Sequence, residues 1–240
     1  MHVKKIKSIN PFLKLVLVGY ISCLTLYAYS YYLDRSLIYD YLIYNLFLAS
    51  LPLLIAWLIV HLLKKYLWSN WRLLILSVLY LLFLPNSFYM VTDLIHVQNM
   101  PINNIVFNVL TFYGFIIMAF FLGIVSLVLI HKELRRRLYP NSLRLFLLVI
   151  IILNSLAIYI GRNLRWNSWD IIIHPNLILV DVWSLTLNIS SHQGLVDDLI
   201  GFSLLIGAIY FLAWRTYRLA WRSGVDDMAD HIKTTKKYNK

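Results

Sequence analysis

At 240 residues, 60% hydrophobic and only 14% charged, with a mean hydropathy of +0.70, the chain departs from a soluble globule towards a membrane protein. Its net charge of +11 would suggest nucleic acid in a soluble protein, but the basic residues fall on separate short connections without a recognition motif, which excludes that partner. The single Cys23 excludes an intramolecular disulfide and, inside an apolar run, reads as a small packing residue.

The chain begins with a basic leader, Lys4, Lys5, Lys7 and Lys14, followed by the uncharged run 15–33. That order superficially suggests a signal peptide. The apolar part is too long for one, and bulky Tyr29, Tyr31 and Tyr32 stand where small cleavage-site residues belong, so an uncleaved first helix is expected. Further uncharged runs follow at 41–60, 73–92 and 105–130, with 73–92 interrupted by Pro85-Asn86. About 20 apolar residues cross a hydrocarbon core, so each is long enough alone. The runs 145–161 and 199–214 are shorter, and flanking Arg and Tyr at the interface extend them.

Six spans result. The expected fold is all-α, a polytopic membrane bundle of six transmembrane helices with one or two short extracytoplasmic interfacial or re-entrant helices. Residues 1–222 form a single integral membrane domain in this reading. The segment 223–240, polar and without apolar periodicity, is expected to be a flexible cytoplasmic tail.

Charge sets the expected orientation. Lys and Arg number four before the first span, three between the second and third, five between the fourth and fifth and seven after the sixth. The alternate connections hold only Arg35, Arg162 and Arg165. Such a bias puts both termini in the cytoplasm of a cell-membrane protein. The block His131–Arg137 then reads as an anchor against anionic lipid.

The outer connections carry the unusual residues. Pro85 removes a backbone donor and predicts an end or kink at Leu84. Residues 87–98 fit a short helix with Asn86, Tyr89, Asp93 and His96 on one side and Phe88, Val91 and Ile95 opposite. It would lie at the interface or continue the third span into a polar cavity. In the second connection, Gly161 permits a tight departure, and Arg162, Trp166 and Trp169 could share a helical face in an aromatic belt. Residues 171–180 are too few to span before Asp181 intervenes, predicting a re-entrant, interfacial or buried segment. Ser190 or Ser191 would cap the last helix, with Asp197 and Asp198 favoured by its dipole.

Four chemistries compete for these residues. Asp93 and His96, with Asp181, His192, Asp197 or Asp198, could form a metal site, although the spacing matches no specific zinc motif and no metal ligand is assigned. Arg162 and Arg165 could bind a phosphate or carboxylate through guanidinium forks, with Asp93 or His96 as general acid or base on a lipid-linked substrate. Alternatively, an arginine pairs with Asp93, Asp170 or Asp181 and the network merely closes the bundle. Transport is the remaining class, although the helix centres are poor in charge and no broken-helix repeat is visible. Asn108, Asn154 and Ser155 then serve helix contacts.

Two blocks, LFLPNSFYMVTDLIH at 82–96 and GRNLRWNSWD at 161–170, resemble an uncharacterised family of predicted bacterial integral membrane proteins, the domain of unknown function 1361. The resemblance extends over approximately 15–220. It implies a multi-pass membrane protein whose shared positions map to Pro85, Asn86, Tyr89, Thr92, Asp93 and His96, and to Gly161, Arg162, Arg165, Trp166, Asn167, Ser168, Trp169 and Asp170. No activity, cofactor or oligomeric state comes with it.

The reading carried forward is a site for an anionic or lipid-linked ligand at the outer interface. Asp93 and His96 would handle protons or a cation there. Asn86, Tyr89, Arg162, Arg165, Trp166, Trp169, Asp170 and Asp181 would bind. Membrane lipids are the expected partners, and the alternative is a structural component or small-solute carrier.

Overall fold

The computed structural model describes residues 11–34, 40–99, 104–166, 170–187 and 194–238. All regular structure among them is helical. The elements are α1 (Pro11–Asp34), α2 (Asp40–Leu62), α3 (Trp71–Phe83), α4 (Asn86–Tyr89), a 3-10 helix (Met90–Asn99), α5 (Ile105–Leu134), α6 (Pro140–Asn163), α7 (Asp170–Ile173), α8 (Pro175–Leu187) and α9 (Leu195–Tyr238). Six stretches are long and apolar enough to cross a membrane: Phe12–Leu33, Asp40–Leu62, Trp71–Ile95, Ile105–Leu134, Pro140–Asn163 and Leu195–Ala220. They correspond one for one to the six expected spans. The protein is an all-α, multi-pass membrane protein.

The chain divides into two compact units, Met1–Gly123 and Ile124–Lys240, with the division inside α5. In the first, α2 buries Leu42, Leu46, Ala49, Leu53 and Ala56, a seam alternating by four and three residues that faces α3 and α4. Alanine at 49 and 56 lets neighbouring backbone approach, as membrane interfaces require when no hydrophobic effect drives helices together. Along α1, Cys23 and Ser30 are buried while Leu15, Val18, Ile21 and Tyr32 are exposed. Cys23 therefore packs as expected, its Sγ 3.6 Å from the Gly114 carbonyl. Ser30 Oγ donates to Asn108 Oδ1 at 2.8 Å, an interhelical bond worth roughly 0.6 kcal/mol in a membrane.

The second unit pairs α6 with α9. Buried Leu143, Leu147, Ile150, Asn154 and Ile158 form the seam of α6, and Ile206 and Tyr210 are buried on α9. Ser203 Oγ donates to Ser155 Oγ at 3.0 Å, joining the two helices with the polar residue expected to serve that purpose. Large side chains such as Leu145, Leu153, Leu204, Phe211 and Leu212 remain exposed along the same helices. In water they would form aggregating patches, whereas lipid is their ordinary solvent.

Helix α9 continues to Tyr238, so the backbone of the polar segment after residue 222 is helical almost to its end.

Candidate functional site

The third span ends as proline chemistry dictates. α3 stops at Phe83 with Leu84 as its C-cap, and Pro85 opens the turn that leads into α4. From Met90 the chain tightens into a 3-10 helix rather than the α-helix expected over 87–98. This changes the faces. With three residues per turn, Met90, Asp93, His96 and Asn99 line up along the backbone, replacing the 3.6-residue rhythm of the prediction. Phe88 and Met90 are fully buried and Ile95 is 56% exposed, so Phe88 and Ile95 do not share a buried apolar side.

Asp93 is 7% exposed, and Asn45 Nδ2 on α2 donates to its Oδ2 at 3.1 Å. Asp93 thus lies within the apolar stretch Trp71–Ile95 and meets a polar side chain of α2. Nearby, Ser87 Oγ donates to the Ala49 carbonyl at 2.9 Å, and Thr92 Oγ1 donates to the Tyr89 carbonyl at 2.8 Å. Asn86 and Tyr89 are half-buried and engaged within the protein. The His96 backbone belongs to the 3-10 helix, while its side chain lies outside the described residues.

The second unit holds the arginines. The chain does not depart at Gly161, because α6 continues to Asn163 and the Leu164 amide still bonds to the Ile160 carbonyl. The reversal comes at Arg165, whose φ of 59° is the one positive value at a non-glycine among the described residues. A side chain in this left-handed region costs roughly 1–2 kcal/mol, so packing around it must hold it there. Arg162 and Trp166 consequently do not share the expected helical face. Arg162 remains on α6, Trp166 follows the reversal, and Trp169 lies outside the described residues.

Two interactions tie this connection down. Arg162 Nη1 lies 3.6 Å from Asp198 Oδ2 in the first turn of α9, an exposed pair worth at most about 1 kcal/mol. The expected partners had been Asp93, Asp170 or Asp181. Asp198 wins because α6 and α9 pack together, bringing the end of one beside the start of the other. Trp166 Nε1 donates to Asp181 Oδ2 at 2.7 Å, linking the reversal to α8. Arg165 is exposed, and among the described residues no carboxylate lies within ion-pair distance of it.

The short apolar segment is α7, a break at His174, and α8 with Pro175 at its first position, where a missing amide costs nothing. Asp170 begins α7, is half-buried, and its carbonyl accepts from the His174 amide at 2.7 Å. Ile178 and Leu185 are buried seven residues apart, and Leu185 packs with Tyr159 and Leu195. Leu177, Leu179, Val180, Trp183 and Leu187 are exposed, which removes the expected alternative of a helix buried in the bundle. Ser190, Ser191 and His192 lie outside the described residues.

The first-unit polar group is thus Asp93 with Asn45, and the second-unit group is Arg162, Arg165, Trp166, Asp181 and Asp198. Among the described residues, no three His, Cys, Asp or Glu side chains gather as a metal set. The second group presents an exposed guanidinium beside an anchored tryptophan, and a guanidinium fork is suited to a phosphate or carboxylate.

A further cluster escaped the sequence reading. His131, read as part of an exposed lipid anchor, is buried, and its Nδ1 hydrogen-bonds Tyr210 OH. Its ring stacks on Trp214 at 3.7 Å, and Trp214 stacks on Tyr217 at 5.6 Å. The spacing Tyr210, Trp214, Tyr217 was the available signal, since steps of four and three place aromatics on one helical stripe.

No curated protein and no solved structure matches the chain. Over residues 44–212, a stretch that includes both polar groups, the sequence matches the family described as "Protein of unknown function (DUF1361)", and the chain belongs to that family.

Proposed function

We propose that this membrane protein binds an anionic, lipid-linked ligand at the outer interface, with Arg165 as the residue that meets the anion. One observation carries the reading: Arg165 is exposed, held in a strained backbone and without an ion pair among the described residues, while Arg162 and Trp166 beside it are committed to Asp198 and Asp181. A guanidinium fork suits a phosphate or carboxylate, and the exposed apolar side chains of α8 suit the lipid that would carry it. Arg162, Trp166, Asp170 and Asp181 then position the loop, and Trp166 with Trp169 serves as an interface anchor.

The test uses Arg165→Gly. Glycine accepts the left-handed backbone without strain, so the variant removes the fork while leaving thermal stability equal or higher by up to about 1 kcal/mol. Native mass spectrometry of the purified protein is expected to show loss of a co-purified anionic lipid. Unchanged lipid retention would sink the reading.

A second reading is favoured by the same pairs. Asn45–Asp93 in the first unit, and Arg162–Asp198 with Trp166–Asp181 in the second, would each tie their own unit together with no ligand. Under it, Arg165→Gly alters nothing bound. Proton handling by Asp93 and His96 is a separate proposal for the first unit, to be tested by Asp93→Asn.

The proposed orientation, with both termini cytoplasmic, rests on the basic bias of the connections. In a Cys23→Ala background, Arg165→Cys should react with a membrane-impermeant maleimide on intact cells. Arg137→Cys should react only after permeabilisation. The opposite pattern inverts the protein.

A further inference from the structure

The end of the apolar stretch of α9, with the end of α5, builds a basic cluster that the Arg165 reading does not use. His131 lies in the last turn of α5 and Arg135 directly follows the helix, its amide donating to the His131 carbonyl at 2.9 Å, while α9 contributes Tyr210, Trp214 and Arg218, with steps of four. The hydrogen bond between Tyr210 and His131 and the stack of His131 on Trp214 fix the two helices together at this level. Trp214 then presents its ring to Arg135, whose guanidinium carbon stands 5.9 Å from the ring centroid. Arg218 follows Trp214 by four residues, one turn further along α9.

The local carboxylate is already taken. Glu133 is 9% exposed and holds Arg137 at 2.9 Å and Arg136 at 3.7 Å. Among the described residues neither Arg135 nor Arg218 lies within ion-pair distance of a carboxylate. Two guanidinium groups outside any ion pair among the described residues therefore stand near the end of a membrane span. Such an arrangement is costly alone and is offset by an anion with several acceptor oxygens.

We propose that Arg135 and Arg218, ordered by Trp214 and His131, form a binding site for the phosphodiester of an anionic phospholipid. A phosphodiester presents two free oxygens to the two guanidinium groups. A lipid source fits better than free phosphate because Phe211 and Leu212, one to two turns earlier on α9, are 60% and 64% exposed and offer an apolar track for acyl chains. The site is independent of Arg165 and does not rest on the function proposed above.

The experiment compares two double variants of the full-length, delipidated protein, each of which removes two positive charges. Arg135→Gln with Arg218→Gln attacks the site. Arg136→Gln with Arg144→Gln removes exposed charge and leaves the Arg137–Glu133 pair in place. Phosphatidylglycerol, phosphatidylcholine and inorganic phosphate are titrated separately and read by native mass spectrometry. The first variant is expected to bind phosphatidylglycerol about tenfold more weakly than wild type, with the second unchanged, since a charge near an anionic headgroup carries a several-fold factor. Arg135→Lys with Arg218→Lys should recover part of the loss, keeping charge without the fork, and circular dichroism should show full helix content throughout. Equal weakening in both glutamine variants, or none in either, would overturn the site. Preference for phosphatidylcholine, or displacement of phosphatidylglycerol by millimolar phosphate, would overturn the lipid assignment.

Discussion

Replacing Gly123 by valine is expected to destabilise the first unit by about 3 kcal/mol, the upper range for overpacking a well-filled interior. A Cβ at this position would stand 2.6 Å from Ser87 Cβ and 2.8 Å from Phe88 Cζ. Neither atom can yield cheaply. Ser87 is buried and tied to the Ala49 carbonyl, while Phe88 is fully buried and packs edge-on against Phe120 with centroids 5.1 Å apart. The glycine is therefore the space into which α4 fits after the Pro85 turn. Thermal unfolding in detergent micelles measures the loss. Gly207→Ala is the internal control, because nothing lies within 4 Å of its added Cβ, and there the helix should gain up to about 1 kcal/mol. Equal behaviour of the two variants would disprove the packing account.

Asn45→Leu is expected to cost about 2–3 kcal/mol, although leucine is the better lipid-facing residue. Asp93 is buried, and losing the Asn45 amide removes a donor from a carboxyl that water cannot readily reach. Asp93→Asn should cost less, since its amide oxygen can still accept that bond. The same thermal measurement separates them, and an Asn45→Leu protein as stable as wild type would show that this bond contributes nothing. The partner came from α2, 48 residues earlier, whereas the sequence had suggested arginines or aspartates of the later connection.

How much of the site was legible follows from which residues act locally. Pro85 ended α3 where its missing donor required, and Asp197 and Asp198 entered the first turn of α9 as the helix dipole favours. Gly161 misled because freedom to turn is no instruction to turn, and the helix continued until Arg165 was forced through the left-handed region. His131 misled for another reason. A basic block reads as solvated when its neighbours in sequence are charged, yet the stripe Tyr210, Trp214, Tyr217 lies 79 residues and more away and buries one member of it.

The sequence by itself determined the solvent of this protein and the number of its crossings. Both depend on composition summed over about 20 consecutive residues, which the bilayer reads without regard to tertiary contacts. It also determined family membership, through the two polar blocks that lie within the matched region 44–212. Only the tertiary structure decided who pairs with whom. Asp93 took Asn45, Arg162 took Asp198, Trp166 took Asp181 and His131 took Tyr210. Each choice depends on how two helices rotate about their own axes to bury their small and apolar residues. A one-residue change in that rotation would turn a helical side chain by about 100°, so the pairings belong to the packed helices and not to the spacing within either one.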